Sequence, residues 1–299
     1  MEPDLPKGTA TIAANGLSGN GLDIDARPPG KPVRKDEIVL EERGLYVESW
    51  LPERRSRRRP LYYLHGELGG SWVWEQYLRY FAQRGWEGHA LNLRAHFWSQ
   101  TAALEDLDLD YYIEDAIAGY EALGRPAVVV GHGMGGLLAM KVAEDRDIDA
   151  LILLSPATPL PVRAVPPSHV VRLVPAIYQR ELIDWAGTYE QVQRQNPDLT
   201  IADVRRIQHL LGAESGAARR QMLAGVAVDR ARLPEIPMLV IGAGLDRQFS
   251  EAESARLAEW LVAEYQPFGA HSHYGEVLGE QGFDQVADTI RSFLEHHRL

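Results

Sequence analysis

Short runs of apolar residues alternate along this chain with longer amphipathic segments. The short runs are rich in valine, leucine and isoleucine, which is typical of buried strands, and apolar residues spaced at i, i+3 and i+4 indicate helices. Strands are predicted at residues 37–42, 45–51, 61–64, 88–93, 127–130, 148–154, 237–241 and 266–270. Helices are predicted at residues 71–84, 110–123, 250–262 and 283–296, with a further helix opening at the glycine-rich turn 131–136.

Two segments break this alternation. Between residues 159 and 233 prolines cluster and helical pieces, at 202–211 and 217–227, replace the strands. We interpret this segment as a helical lid inserted between two parts of one core, residues 37–158 and 234–299. Residues 1–36 are rich in Gly, Pro, Asp and Asn, which predicts a flexible N-terminal leader.

Composition narrows the function classes. The chain has 299 residues and a formal net charge of −11, which argues against a nucleic-acid partner. It has no cysteine, so disulfides, a cysteine nucleophile and thiolate-bound metals are excluded. No apolar run is long enough to span a membrane, and the N-terminus lacks the apolar region of a signal peptide. The sequence therefore predicts a cytoplasmic protein, and it leaves the oligomeric state open.

The turn that follows the strand at 127–130 reads Gly131-His132-Gly133-Met134-Gly135-Gly136. A strand, a sharp glycine-rich turn and a helix form the context of a nucleophile elbow, G-x-S-x-G. Here the chain resembles the α/β-hydrolase superfamily, in which G-H-S-M-G-G is common. The match lacks only the nucleophile, because position 133 is glycine. The resemblance implies a mostly parallel, eight-stranded sheet flanked by helices, with an inserted helical lid.

A second motif, His65-Gly66-Glu67-Leu68-Gly69-Gly70, resembles the turn after the third strand of that superfamily. In the family this turn supplies one backbone N–H of the oxyanion hole. The resemblance assigns that N–H to Glu67 or Leu68, and the second donor to Met134. Four side chains are further candidates for ligand contact. They are His65, His132, Phe97 and Trp98, the last two being bulky residues where the family has glycine and a variable residue.

The chain order of elbow, acid and histidine also follows the superfamily. Asp246 lies a few residues after the strand at 237–241 and is the predicted acid. His271 and His273 compete for the base. Ser272-His273-Tyr274 fits the family text better than Ala270-His271-Ser272, so His273 is favoured. Neither a metal-ligand spacing nor a dinucleotide fingerprint is convincing, so no metal and no cofactor is predicted.

Four interpretations of function remain open. Without a side-chain oxygen at Gly133, an acyl-enzyme cannot form there. The chain could use a His–Asp pair as a general base without covalent catalysis, either on water or on a substrate proton. It could be a non-catalytic member that binds a ligand or a protein, in which case it would resemble the N-myc downstream-regulated proteins. It could be an inactivated serine esterase or lipase, or a weak hydrolase that relies on its oxyanion hole.

The length and position of the predicted lid resemble those of lysophospholipases and monoacylglycerol lipases. That resemblance implies an apolar pocket and a small hydrophobic, acyl-type ligand. It is an analogy of fold, and fold alone does not fix function.

Overall fold

The computed structural model describes residues 33–54 and 56–299. Its strands are β1 Val33–Leu40, β2 Leu45–Pro52, β3 Leu61–Leu64, β4 Gly88–Asn92, β5 Val128–His132, β6 Ala150–Leu154, β7 Ile177–Gln179, β8 Ala213–Ser215, β9 Met238–Ala243 and β10 Glu264–Phe268. Its helices are α1 Glu75–Gln83, α2 Leu109–Glu121, α3 Met134–Asp145, α4 Ser168–Arg172, α5 Tyr189–Gln195, α6 Ile201–Leu210, α7 Gly216–Ala224, α8 Glu251–Leu261, α9 Gly275–Leu278 and α10 Glu280–His296.

Eight strands form one sheet in the order β1-β2-β4-β3-β5-β6-β9-β10. The pairs β1–β2 and β2–β4 are antiparallel, and every later pair is parallel. The predicted mostly parallel, eight-stranded sheet flanked by helices is therefore confirmed. Because the central strands are parallel, their carboxyl ends lie along one edge, where the glycine-rich turns leave β3 and β5.

The sheet is covered on both faces. Tyr63 and Val130 belong to one buried cluster, whereas their neighbours Tyr62 and Val129 belong to the other. Successive side chains of a strand point to opposite faces, so a strand buried on both faces must be apolar throughout. This explains why the central strands are continuous apolar runs in the sequence.

Several element boundaries differ from the prediction by a few residues, and two of the differences lie before β4. β1 begins at Val33 rather than at residue 37, because its exposed polar residues pair through the backbone with β2 as far as Pro52. The rest of the predicted leader, residues 1–32, lies outside the described residues. Ser71 opens a 3₁₀ turn ahead of α1 instead of capping a helix, and its hydroxyl donates to Glu48 Oε2 at 2.8 Å.

Residues 159–233, called the inserted segment below, contain α4 to α7 and a small antiparallel pair, β7–β8. The helical pieces predicted at 202–211 and 217–227 correspond to α6 and α7. α6 begins at a capping box in which Thr200 and Asp203 each accept a backbone N–H of the other. The pair β7–β8 was not predicted, because strands of three residues have no readable alternation. Whether this segment acts as a lid stays a prediction.

No helix in the described part of the chain is both long and apolar enough to cross a bilayer.

Candidate active site

Gly133 occupies the sharp turn between β5 and α3. Its φ of 54° and ψ of −123° lie where side chains other than glycine are strained. A Cβ atom built at this position would lie 3.1 Å from both Cε1 and Nε2 of His273. A side chain at residue 133 would therefore point at the edge of that imidazole ring.

The flanking glycines are required by close packing. A Cβ on Gly131 would lie 2.2 Å from the carbonyl oxygen of Gly135, and a Cβ on Gly135 would lie 2.2 Å from that of Leu64. The first turn of α3 thus packs directly on β5 and on the end of β3. This contact holds the glycine-rich turn after β3 beside the elbow, and Gly66 lies against Gly133.

His273 and Asp246 form a hydrogen-bonded pair. The imidazole Nδ1 lies 2.7 Å from Asp246 Oδ2, and the Asp246 side chain is fully buried. Asp246 Oδ1 also accepts the backbone N–H groups of Gln248 and Phe249, at 2.6 and 3.0 Å. Since a carboxylate only accepts, Nδ1 carries the proton and Nε2 faces Gly133 as a hydrogen-bond acceptor.

The competing histidine lies elsewhere. His271 Nε2 is 3.1 Å from the side-chain oxygen of Gln285, and its Nδ1 is 3.9 Å from Asp198 Oδ2. Among the histidines weighed from the sequence, the structure therefore brings His273, and not His271, against Asp246.

His132 supports the His273 backbone. Its ring packs on that of His273 with centroids 4.1 Å apart, and its Nε2 donates to the His273 carbonyl oxygen at 3.0 Å. Burial, together with the electrostatic effect of the neighbouring His273 ring, holds the pKa of His132 well below its usual value. His132 is thus neutral and positions its neighbour.

Of the two backbone donors predicted in the turn after β3, the structure leaves one available. The Leu68 N–H donates to Glu214 Oε2 at 3.1 Å, so the alternative in which Leu68 forms the oxyanion hole conflicts with the structure. Within residues 33–54 and 56–299, no hydrogen bond uses the backbone N–H of Glu67 or of Met134. These two N–H groups stay our predicted donors.

Three predicted ligand contacts are not brought to the site. His65 is fully buried, and its ring nitrogens bond to the Gly66 carbonyl and the Leu93 N–H. Burial lowers the His65 pKa to about 3, so it is a neutral structural residue. Phe97 packs on Trp72, and Trp98 is 74% exposed. Both bulky side chains of this turn are thus exposed to solvent.

A buried ion pair from the inserted segment holds the same turn. Glu214 accepts from His96 Nε2 at 3.0 Å and from the Tyr112 hydroxyl at 2.6 Å. Burial opposes ionisation of both groups, yet their mutual attraction raises the pKa of His96 and lowers that of Glu214 to about 2. The pair is therefore charged up to the usual imidazole pKa of 6.5, and it ties the inserted segment to Leu68.

The Glu67 side chain makes a second link to the inserted segment. Both of its oxygens accept from Arg219 Nη1, at 2.6 and 2.8 Å, and Tyr178 donates its hydroxyl to the same carboxylate. The segment also packs Trp185 against Tyr274, with ring centroids 5.1 Å apart. His273 borders a cleft at this contact. The cleft is also lined by Ile183, Asp184, Trp185, Asn196, Arg247 and Gln248.

Comparison with models of known protein families identifies the family of this chain. The family model described as alpha/beta hydrolase family matches residues 61–289, which is most of the chain and includes the elbow, Asp246 and His273. The chain belongs to the alpha/beta hydrolase family. No curated protein matches its sequence.

Solved structures share the fold at low identity. A monoacylglycerol lipase from Paleococcus ferrophilus is 20% identical with a TM-score of 0.63, over 84% of this chain and 99% of that one. A thermophilic esterase from Thermogutta terrifontis is 17% identical with a TM-score of 0.64, over 89% and 100%. A bromoperoxidase from Bacillus anthracis is 14% identical with a TM-score of 0.67, over 88% and 100%. At these identities the likeness establishes the fold alone.

This α/β-hydrolase also buries an acid that the sequence did not single out. Both carboxyl oxygens of Glu276 lack a hydrogen-bond partner among the described residues. Burial, with the negative charges of Asp246 and Asp198 nearby, raises the Glu276 pKa well above its usual value. Glu276 therefore keeps its proton to a higher pH than an exposed glutamate does, and it lies close enough to Asp246 to be affected by its charge.

Replacing Glu276 with glutamine is expected to stabilise the protein increasingly as pH rises. The unfolded chain loses the Glu276 proton above pH 4.5, whereas the folded protein keeps it, so this group lowers the stability of the native protein with increasing pH. The gain in unfolding free energy should grow by up to about 1.4 kcal/mol per pH unit above that value. Urea unfolding at pH 5 and pH 8 checks this, and an equal effect at both would contradict it.

Sequence reasoning missed Glu214, Arg219 and Glu276. Each stands in a stretch without a motif, and a charged residue between small or apolar neighbours is ordinarily a solvated one. No signal in one sequence distinguishes them. In the described residues, no group of three or more His, Cys, Asp or Glu side chains could hold a metal ion.

Proposed function

We propose that this chain uses the His273–Asp246 pair as a general base in non-covalent chemistry on a small acyl-type molecule. The hydrogen bond of 2.7 Å between the two side chains carries the proposal. A protein that only binds a ligand has no need for a base held in one tautomer by a buried acid. The imidazole also presents Nε2 to residue 133, where the family's nucleophile would stand.

Water is the nucleophile that fits this arrangement. Glycine leaves room beside Nε2 for a water molecule in place of a serine hydroxyl. His273 takes a proton from that water as its oxygen attacks the acyl carbon, and the carbonyl becomes an oxyanion. The protonated imidazole then gives its proton to the leaving oxygen as the ester bond breaks. Asp246 stabilises the imidazolium throughout and does not itself become protonated.

The oxyanion needs donors at fixed positions. The Met134 N–H opens α3, where the helix dipole favours negative charge, and the Glu67 N–H lies in the turn packed against the elbow. Two rigid contacts support that turn, the Leu68 bond to Glu214 and the Glu67 bond to Arg219. We infer that the inserted segment serves as a lid that fixes the hole as well as covering it.

Removing the base is expected to lower slow ester hydrolysis by the unaltered chain by about 10²-fold or more. His273→Ala removes the proton acceptor. Asp246→Asn keeps one oxygen for the backbone N–H groups of Gln248 and Phe249 but turns an amide N–H toward Nδ1, which favours the wrong tautomer of His273. Hydrolysis of a chain-length series of aryl esters measures both effects, with a serine-reactive phosphonate probe that should label neither the parent nor the variants.

His271→Gln is the matched control, because His271 lies next in the same loop but bonds to Gln285 instead of Asp246. It should hydrolyse the esters as the parent does. Ester turnover that is absent in the parent, or that survives His273→Ala unchanged, would refute the general-base proposal in favour of a binding protein or an inactivated hydrolase.

A further inference from the structure

The guanidinium group of Arg163 is partly buried, and two of its three nitrogens have no hydrogen-bond partner among the described residues. It lies in the loop that follows β6, and its Nε and Nη1 atoms are buried and bond to nothing in the described part of the chain. Guanidinium nitrogens that are buried are ordinarily paired, because removing a charge from water without giving it a partner is unfavourable. A guanidinium with unpaired buried nitrogens does not stabilise the folded protein, so its presence points to a functional role.

Arg163 and the candidate base His273 both lie near the ring of Phe249. Its Cζ is 6.0 Å from the ring centroid of Phe249, and that ring is 5.5 Å from the imidazole of His273. The same phenyl ring would be 3.4 Å from a Cβ on Gly133. The Phe249 ring thus lies near both the guanidinium and residue 133, where the proposed function places the reacting carbon.

Neighbouring carboxylates do not neutralise this cation. Glu67 is engaged by Arg219, and Glu253 Oε1 accepts the Ala164 N–H at 2.8 Å. Neither lies within ion-pair distance of Arg163, although both act on it electrostatically at longer range. The guanidinium is therefore left without an ion-pair partner among the described residues, and a monoanion matches its single positive charge better than a dianion would.

We propose that Arg163 binds a carboxylate at the far end of the acyl substrate, so that the site takes half-esters of dicarboxylic acids in preference to neutral esters. A carboxylate suits a guanidinium because two parallel N–H···O bonds can form. The inference deepens the proposed function and rests on it for the position of the acyl group beside Gly133.

The test measures binding, so it does not depend on turnover. Calorimetric titration of the full chain with monomethyl adipate and with dimethyl adipate is repeated in His273→Ala, where the base cannot act. Monomethyl adipate should bind at least about tenfold more tightly in both proteins. Arg163→Met should abolish that preference, and Arg163→Lys should retain part of it.

Two controls separate this role from a structural one. Arg247→Met removes an exposed arginine that borders the cleft beside His273 and pairs with Asp184, and it should leave the preference intact. The melting temperature of Arg163→Met should equal or exceed that of the parent, since the change removes unpaired buried guanidinium nitrogens. Equal affinities for the two esters, binding of neither, a preference that survives Arg163→Met, or a lower melting temperature would each overturn the proposal. Loss of ester hydrolysis with the binding preference intact would instead count against the general-base function alone.

Discussion

Replacing Gly133 with serine is expected to turn this protein into a covalent serine hydrolase that reacts with phosphonate probes. The backbone at residue 133 already has the φ and ψ of an elbow, and a Cβ there would point at Nε2 of His273. His273 would take the proton from the new hydroxyl, and Asp246 is already bonded to Nδ1. We expect hydrolysis of aryl esters to rise by about 10³-fold or more, because loss of such a serine costs at least that much elsewhere.

The substitution also has a cost in stability. A residue other than glycine at this φ and ψ is strained by about 1–3 kcal/mol. Its Cβ would lie 3.1 Å from the imidazole, so the ring must move by a few tenths of an ångström.

Gly133→Ala is the matched control for that cost, because alanine introduces the same Cβ and the same strain without the oxygen. Both variants should unfold at similar denaturant concentrations, and only the serine form should label and hydrolyse. A serine variant that folds as well as the alanine form, yet neither labels nor turns over, would show that the rest of the machinery is not competent.

Glu214→Gln is expected to destabilise the protein by about 3–5 kcal/mol at pH 6. Glutamine keeps the volume and an acceptor for the Leu68 N–H, but it leaves the buried His96 imidazolium without an anion. Urea unfolding curves measure the loss, and Glu121→Gln is the control. Glu121 pairs with Arg146 at 2.6 Å on the surface, so its loss should cost less than about 1 kcal/mol.

The effect of Glu214→Gln should depend on pH in a defined way. The raised pKa of His96 gives stability that is complete below its usual value of 6.5 and is lost as pH rises through the folded value. The lowered pKa of Glu214 gives stability that is complete above 4.5 and is lost as pH falls toward about 2. The difference between parent and variant should therefore be largest between about pH 4.5 and 6.5. A difference that stays constant up to pH 9 would mean that the pair is not ionic.

Some features of the candidate site could be predicted from the sequence, and others could not. The elbow glycines could be predicted because backbone atoms cross within contact distance there, and only glycine tolerates that. Asp246 and His273 could be proposed because their order and local text follow a family pattern. For the choice between His273 and His271 the sequence offers only the local family text, since both residues stand in one loop two positions apart.

Charged residues of the inserted segment could not be assigned in this way. Glu214 and Arg219 contact the turn after β3, which is more than a hundred residues away in the chain. No local sequence pattern indicates these partners. The exposure of Trp98 was equally unreadable, because a large apolar residue in a loop can face a pocket or solvent.

By itself, the sequence determined the sheet, its central strands and the loss of the nucleophile. Periodicity and buried apolar runs are local properties, and a missing oxygen at Gly133 is a matter of composition. Only the tertiary structure decided which histidine meets Asp246, which N–H of the turn after β3 is free, and that Arg163 is left unpaired beside Phe249. These features depend on the relative positions of loops that are distant in sequence. Burial shifts the pKa of a side chain, or makes an unpaired charge unfavourable, only once the chain has folded.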